Sequence, residues 1–293
     1  MTTTDTVSDL LKKVRAIEIK TKSLSADLFS GEYHSAFKGR GMSFSAVRAY
    51  TYGDDIRAID WNVTARTGEP HVKIFEEERE LTVILVVDMS GSSFFGTKKQ
   101  FKSDTITEIC ATLAFSASRN NDKVGVVFFT DRVEKFIQPK KGKSHILLII
   151  RELLSFKPKG TGTDISAALE YMNHVVKKRS IVFLLSDFMS DNYATALSIS
   201  ARRHDFICVN LSDAFEINLP AIGILPVTDA ETGKTSWINT GDARMRNNFT
   251  LWRKEKRSYL KTTSVKSGAD VLDISTGDDY IKALLGFFKK RKK

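Results

Sequence analysis

Two aspartates and several hydroxyl side chains follow apolar runs of the sequence, and together they could bind a hard metal cation. Residues 88–92, Asp-Met-Ser-Gly-Ser, come directly after one apolar run, and Ser186-Asp187 ends another. Between them, a Gly-Thr-Gly-Thr-Asp stretch at 160–164 opens a predicted helix. All of these side chains offer oxygen, which Mg²⁺ prefers to imidazole or thiolate. The predicted metal ligands are Asp88, Ser90, Ser92, Thr163 and Asp187.

The expected ion is Mg²⁺, with Mn²⁺ and Ca²⁺ as alternatives. An octahedral ion held by a few side chains keeps positions open for water or for a carboxylate from another molecule. With only two carboxylates beside it, such an ion keeps positive charge that attracts an acidic ligand. A simpler alternative stays open, in which Asp88 and Ser90 only cap the turn or helix that follows them.

Continuous apolar runs predict the strands that must position these residues. The runs LTVILVVD and IVFLLSD end at Asp88 and Asp187. Similar runs occupy 124–130, 206–211 and 271–274. Such runs are typical of strands buried on both faces, and helical patterns lie between them. The alternation predicts a mostly parallel, doubly wound α/β sheet with helices on both faces, whose ligands bind beyond the carboxyl ends of the strands.

Other segments complete the predicted organisation. Residues 5–28 show the apolar spacing of an amphipathic helix, and 222–240 contain a predicted hairpin centred on Thr232-Gly233. A markedly basic helix follows the hairpin. Its apolar stripe consists of Met245, Phe249, Trp252 and Leu260, and we expect this stripe to pack into the core.

The five predicted ligands resemble the metal-ion-dependent adhesion site of von Willebrand factor A-like domains. That family pattern is Asp-x-Ser-x-Ser after the first strand, a threonine in a Gly-rich turn and an aspartate after a later strand. The chain fills all five positions, although Phe188 stands where the family often has glycine. The resemblance implies a von Willebrand A-like sheet and a divalent ion that is completed by an acidic residue of a protein partner.

A second signature precedes the sheet. It consists of Gly39-Arg40-Gly41-Met42-Ser43-Phe44, Arg48, Tyr50, Gly53-Asp54-Asp55, Arg57, Ile59-Asp60-Trp61, Ala65-Arg66-Thr67-Gly68, Phe75 and Glu77. Together with the 219–233 segment it resembles the bacterial domain of unknown function 58 family, over roughly residues 25–285. The resemblance implies an accessory protein of a MoxR-type AAA+ ATPase, or of its client, that acts in the assembly or maturation of other complexes.

The charged part of this signature has two interpretations. Its members are Arg48, Asp54, Arg57, Asp60, Trp61 and Arg66. In one, an ion-pair network clamps the N-terminal extension onto the sheet domain, with Trp61 packed beneath it. In the other, the same residues form a docking surface for a partner. Arginine–carboxylate pairs are often bidentate and position loops accurately, so one network could serve both purposes.

Composition and pattern give three expected segments. Residues 1–80 form the N-terminal helix and the signature extension packed on the main domain, 81–288 form the von Willebrand A-like domain, and 289–293 form a basic tail. The chain has 45 Lys and Arg against 35 Asp and Glu, a net charge of +10, of which the tail KKRKK supplies +5. We expect a solvated tail, although such a patch could attract nucleic acid, anionic lipid or an acidic protein.

The preferred function is a non-enzymatic, divalent-metal-dependent protein-interaction module. One alternative is a metal-dependent hydrolase that uses the same ion, for which Asp164 is the one candidate base. Another is electrostatic binding to nucleic acid or a membrane surface, with nucleic acid not expected as the main partner. Two cysteines within apolar segments, no signal-peptide pattern and no apolar run long enough to span a bilayer predict a cytoplasmic protein.

Overall fold

The computed structural model describes residues 12, 14–17, 33, 36–37, 42–77, 80–94, 101–217, 219–229 and 233–291. Within them, Lys12 and residues 14–17 are helical, as the apolar spacing predicts. The rest of the predicted helix over 5–28 lies outside the described residues, as do residues 39–41 of the signature, 230–232 of the hairpin and the last two lysines.

The described residues contain ten strands, and the apolar runs lie in the six that form a central sheet. The strands are β1 (Met42–Ala49), β2 (His71–Glu77), β3 (Thr82–Asp88), β4 (Lys123–Phe129), β5 (Val133–Lys140), β6 (Ile181–Ser186), β7 (Asp205–Ser212), β8 (Ile224–Thr228), β9 (Thr235–Asn239) and β10 (Asp270–Ser275). Every residue of β6 is buried, and so is every residue of β3 after Thr82. Burial on both faces explains why these strands read as unbroken apolar runs rather than as alternating patterns.

The central sheet has the strand order β10-β7-β6-β3-β4-β5. β5 runs antiparallel to β4, and the other neighbouring pairs are parallel. The chain therefore builds outward from β3 on one side and then from β6 on the other. In a doubly wound sheet, this reversal opens a crevice beyond the carboxyl ends of the two central strands. The predicted mostly parallel, doubly wound α/β fold class is confirmed.

Helices cover both faces of the central sheet. The α-helices after residue 60 are α1 (Trp61–Thr67), α2 (Lys102–Arg119), α3 (Lys143–Ser155), α4 (Ile165–Val175), α5 (Ala194–Arg203), α6 (Ala214–Ile217), α7 (Ala243–Ser267) and α8 (Tyr280–Arg291). Val83, Leu85 and Val87 share a buried cluster with α2, α3 and α8, whereas Ile84 and Val86 share the opposite cluster with α4 and α5. No helix in the described ranges combines the length and apolar content needed to cross a membrane.

The segment before the sheet packs against it through aromatic rings. Tyr33 and Phe37 are buried, and the Phe37 ring lies 6.2 Å from Phe183 of β6 and 5.6 Å from Phe288 of α8. β1 and β2 then form a separate antiparallel pair, with α1 between them in sequence. The residues around 33–37 therefore share the core of the main domain.

The 222–240 segment contains the antiparallel pair β8–β9, and α7 follows it. The predicted core packing of the α7 apolar stripe is wrong over most of its length. Leu260 is buried, but Met245 and Phe249 are half-buried and Trp252 is exposed. Buried side chains occur in α7 only from Leu260 onward, so its first part has no sheet surface to cover.

The basic C-terminal residues also differ from the predicted solvated tail. Lys289, Lys290 and Arg291 belong to the last turn of α8. The Arg291 side chain is only 7% exposed, because it pairs with Asp205 and Asp270 and its guanidinium lies 4.9 Å from the centre of the Phe37 ring. This arginine is therefore structural, and the described part of the basic run is not a free tail.

Candidate functional site

Asp88 lies at the point where the strand order reverses. It is the last residue of β3, whose neighbour β6 ends at Ser186, so both strands deliver polar residues to the same crevice. Asp88 is fully buried. A buried carboxylate at this point needs polar partners, because an uncompensated charge in the core is costly.

The Asp88 carboxylate has a polar partner on each oxygen. Its Oδ1 accepts a hydrogen bond from the Ser90 amide at 2.9 Å, and its Oδ2 accepts one from the Ser186 hydroxyl at 2.6 Å. Burial, and after it the negative charge of Asp187, raise the pKa of Asp88 to about 6. Both effects disfavour the charged carboxylate, and a cation bound beside it would oppose both.

Two serine hydroxyls stand beside this carboxylate. Ser90 is buried, Ser92 lies in the 3₁₀ turn Gly91–Phe94, and their Oγ atoms are 3.1 Å apart. Oxygens on adjacent corners of an octahedral Mg²⁺, each at about 2.1 Å from the ion, lie about 3 Å from each other. The spacing of the two hydroxyls therefore fits adjacent ligands on one small cation.

The Thr163 loop, which connects α3 to α4, reaches the same region. The Gly91 amide donates to the Thr161 carbonyl at 3.2 Å, which joins this loop to the turn after Asp88. Thr163 and Ser92 line one open depression of about 750 Å³. Asp164, the candidate base of the hydrolase alternative, caps α4 by accepting the Ala167 amide at 3.0 Å. The Asp164 carboxylate thus has a local structural role.

Gly160 fixes the position of that loop. A Cβ built on Gly160 would lie 2.0 Å from Oδ1 of Asp131 and 2.3 Å from Oγ1 of Thr130. The Gly160 amide donates to the Glu134 carboxylate at 2.7 Å, and Glu134 also accepts the Thr130 hydroxyl. Only a residue without a side chain allows this close approach, so Gly160 sets where Thr163 stands.

Asp187 is engaged by a buried lysine. The Nζ of Lys102 donates to Oδ2 of Asp187 at 3.1 Å and to Oε1 of Glu216 at 2.5 Å. Glu216 also pairs with Arg253 at 3.1 Å. Lys102 and Glu216 could not be predicted as site residues from the sequence, because a single lysine at the start of a helix and a single glutamate match no known motif.

The structure thus brings the predicted ligands together in part. Asp88, Ser90 and Ser92 form one group, and Thr163 lines the depression beside it. Asp187 is close enough for its charge to raise the pKa of Asp88, but Ser186 is the β6 residue that contacts Asp88 directly. Asp187 lines a neighbouring cavity of about 330 Å³ together with Arg253.

The donor set fits a hard cation rather than a soft one. Asp88, Ser90, Ser92 and Thr163 offer oxygen only, and the two serine hydroxyls already have the required spacing. Among the described residues, no cluster of three or more histidine, cysteine, aspartate and glutamate side chains could hold a metal. Cys110 and Cys208 are buried, and burial raises the pKa of the Cys208 thiol to about 12, so neither is an activated thiolate.

The charged signature forms local contacts rather than a clamp. Arg48 and Asp54 make a bidentate pair, with nitrogen–oxygen distances of 2.7 and 2.6 Å, and Asp54 also accepts the Thr51 amide. These bonds hold the pKa of Asp54 well below its usual range. The expectation that Trp61 packs beneath the network is wrong, because its side chain is 67% exposed.

The other signature residues are also local. Asp60 caps α1 by accepting the Asn62 and Val63 amides, and Lys73 lies 3.8 Å from it. Arg57 and Arg66 form no ion pair with any residue that the structure describes. The network therefore shapes the surface of the extension and leaves Trp61 and two arginines available to solvent.

One comparison with known proteins identifies the family. The family model described as "Protein of unknown function DUF58" matches residues 46–259. An uncharacterized protein of Mycobacterium tuberculosis is 27% identical over 287 residues, which cover 97% of this chain and 90% of that protein. An uncharacterized protein of Mycobacterium avium is 29% identical over 137 residues, covering 46% of this chain and 80% of that protein.

Solved structures with a similar fold share little sequence. The conserved hypothetical protein BatB from Bacteroides thetaiotaomicron is 13% identical with a TM-score of 0.47, covering 72% of this chain and 98% of that chain. The vWF domain of the type V pili tip protein Mfa5 from Porphyromonas gingivalis is 12% identical with a TM-score of 0.32, covering 73% of this chain and 86% of that chain.

Proposed function

The chain belongs to the DUF58 family, and from its site geometry we propose that it is a protein-interaction module whose binding is completed by a divalent cation. Asp88, Ser90 and Ser92 would hold the cation, and Thr163 would face it across the depression. The cation would be Mg²⁺, with Mn²⁺ or Ca²⁺ as substitutes.

One observation carries this proposal. The Ser90 and Ser92 hydroxyls lie 3.1 Å apart beside a buried carboxylate, at the reversal point of a doubly wound sheet. Helix capping would explain the Asp88–Ser90 hydrogen bond, and the two hydroxyls also hydrogen-bond to each other, but neither contact accounts for their place at the edge of an open depression. Oxygen ligands at this spacing supply that reason.

The charge balance favours an acidic partner. Asp88 and Asp187 bring two negative charges, and Lys102 offsets one of them. A divalent cation at this site would therefore keep positive charge and attract a carboxylate, which is the chemistry the bound ion supplies. The partner then contributes a glutamate or aspartate to the coordination shell.

The family resemblance names the partner class. We propose that the partner is a MoxR-type AAA+ ATPase or a client of such an ATPase, and that the chain acts as its adaptor in the assembly or maturation of another complex. The open depression lined by Ser92 and Thr163 supports one part of this proposal, namely that this chain offers a binding site to a partner.

Thermal unfolding with added metal tests the site. We expect MgCl₂ or MnCl₂ to raise the Tm of the wild type, and expect no rise for Asp88→Asn or for the Ser90→Ala/Ser92→Ala double variant. Ser155→Ala is the matched control, because its hydroxyl bonds only to a carbonyl on its own helix. Equal metal responses in the wild type and the site variants would reject the site.

Binding to a purified MoxR-type ATPase from the same organism tests the partner class. We expect binding in Mg²⁺, loss of binding with EDTA, and recovery when Mg²⁺ is restored in excess. Binding that is unchanged by EDTA and by Ser92→Ala would reject a metal-completed contact.

A further inference from the structure

The hairpin β8–β9 and the first part of α7 form a surface that the rest of the molecule does not cover. We call residues 222–229 and 233–259 the arm. The buried Thr240 holds its base, because its hydroxyl donates to the Gly223 carbonyl at 2.7 Å and accepts the Ile222 amide. Arg246 ties α7 to the hairpin through the Thr240 carbonyl at 2.6 Å. The arm is therefore a held structure rather than a loose loop.

One face of the hairpin is apolar and exposed. Pro226 lies directly opposite Trp237, and Ile224 is two residues before Pro226, so all three share a face of the two-stranded sheet. Ile224 is 68% exposed and Trp237 is 73% exposed. Large apolar side chains grouped on a surface mark interaction sites more often than isolated ones do.

The helix of the arm is equally uncovered. Between Ala243 and Tyr259, which spans about 25 Å at 1.5 Å per residue, α7 contributes no buried side chain to the described structure. Leu251 and Trp252 are both exposed on this stretch. Arg253 and Lys256 face the rest of the molecule through ion pairs, so Leu251 and Trp252 mark the uncovered side of this stretch.

The charge of α7 indicates which kind of partner surface could cover this helix. The helix carries eight lysines and arginines and a single acidic residue, Glu255. Arg253, Lys256, Arg257 and Lys261 pair with carboxylates elsewhere in the molecule. The remaining cations, Arg244, Arg246, Lys254 and Lys266, form no ion pair with a described residue, so the surface is complementary to an acidic one.

The arm is continuous with the proposed metal site. Trp252 of α7 and Asp229 of the hairpin line the same depression as Ser92 and Thr163. A protein segment lying along the arm would therefore reach the depression with the next part of its chain. Exposed isoleucine and tryptophan favour a protein surface over the phosphates of nucleic acid.

We propose that the arm docks an acidic protein segment carrying apolar anchor residues, and that this segment belongs to the partner whose carboxylate completes the metal site. The apolar anchors would cover Ile224, Pro226 and Trp237, and the acidic residues would face the α7 cations. The identity of the partner rests on the proposed function. The chemistry of the docked segment rests on the arm alone.

Selection from a random 12-residue peptide display library, against the full chain in MgCl₂, tests this chemistry. We expect the selected peptides to be rich in aspartate, glutamate and large apolar residues. In fluorescence polarisation, Trp237→Ser/Leu251→Ser and Arg244→Glu/Lys254→Glu should each weaken their binding about tenfold or more. Leu148→Ser is the matched control, because Leu148 is exposed on α3, which covers the face of the sheet opposite to Leu260 of α7, and it should bind like the wild type.

Circular dichroism and Tm show whether each arm variant folds, and all the substituted side chains are exposed. Basic selected peptides, equal affinity of arm variants and wild type, or tighter arm-dependent binding of a 20-base-pair DNA duplex would overturn the inference. Arm-dependent binding that survives EDTA would support the arm and count against the metal site. A rise in Tm with metal, together with peptide binding that does not depend on the arm, would support the metal site and count against the arm.

Discussion

The ammonium of Lys102 lies 3.1 Å from Oδ2 of Asp187, and both side chains are almost completely buried. The pair places a protein cation beside one of the two carboxylates at the centre of the crevice. The same ammonium reaches Glu216, whose other oxygen pairs with Arg253. Asp187 is thus held in place by the protein's own charge, whereas Asp88 is held by hydrogen bonds from the Ser90 amide and the Ser186 hydroxyl.

Lys102→Met should lower the free energy of unfolding by about 3–5 kcal/mol, because it leaves the Asp187 charge buried without its ammonium. Urea unfolding measures this loss. Lys135→Met is the control, since Lys135 pairs with Glu152 but is 41% exposed, and it should cost about 1 kcal/mol or less. The Lys102→Met/Asp187→Asn double variant should recover part of the loss. No recovery would mean that the lysine acts through packing alone.

Gly160→Ala should lower stability by about 1–3 kcal/mol, because its methyl group would overlap Asp131 and Thr130 and displace the Thr163 loop. The same variant should weaken the Mg²⁺-induced rise in Tm. Gly162→Ala is a matched control two residues away, where the new Cβ would meet only Cβ of Asp131 at 3.5 Å. Similar Tm values for the two variants would contradict the assigned role of Gly160.

Phe188 should show an unusual order of variants. Its backbone is left-handed, with φ of 53°, and its ring is buried 5.9 Å from the Tyr193 ring. Phe188→Ala should cost about 3–5 kcal/mol, because it removes the ring and keeps the strained backbone. Phe188→Gly should be about 1 kcal/mol more stable than Phe188→Ala, because glycine adopts this φ freely. Chemical denaturation of both variants measures the order, and an alanine variant that is the more stable one would contradict it.

His204 should make stability depend on pH. Burial, followed by the charges of Arg203 and Arg179, lowers the pKa of His204 from 6.5 to about 4. The folded state therefore keeps the ring neutral, while the unfolded chain binds a proton below about pH 6.5. The contribution is fully present above pH 6.5 and is lost as pH falls toward 4, by about 3 kcal/mol at most.

Urea unfolding of the wild type and His204→Gln between pH 4 and 8 measures this contribution. The wild type should lose more stability than the variant between pH 6.5 and 4, and the two curves should run parallel above pH 7. Parallel curves over the whole range would mean that His204 is protonated in the folded protein.

The fold could be predicted from the sequence because strands buried on both faces require unbroken apolar runs. The runs ending at Asp88 and Asp187 became β3 and β6 within a residue or two. The grouping of Asp88 with Ser90 and Ser92 near Thr163 could be predicted for the same reason, since the carboxyl ends of adjacent parallel strands meet. The packing of α7 could not, because a helical apolar stripe shows which face prefers burial and does not show what lies opposite.

The ion pairs around Asp187 could not be predicted from the sequence either. Lys102 is 85 residues from Asp187 and 114 from Glu216, and no spacing rule links them. In the extension, the alternation of arginine and aspartate predicted pairing, yet it did not show that Arg48–Asp54 is local or that Trp61 is exposed. Contacts between distant residues depend on the assembled sheet and not on local pattern.

The packing of Phe37 between Phe183 and Phe288, with Arg291 over the same ring, has a kinetic consequence. Phe37 and the α8 residues Phe288 and Arg291 come from nearly opposite ends of the sequence, and contacts that close so long a stretch of chain form slowly. Refolding should therefore begin with the β3–α2–β4 unit, whose elements are adjacent in sequence. The packing of Phe37 against α8 should be the last and slowest step of refolding.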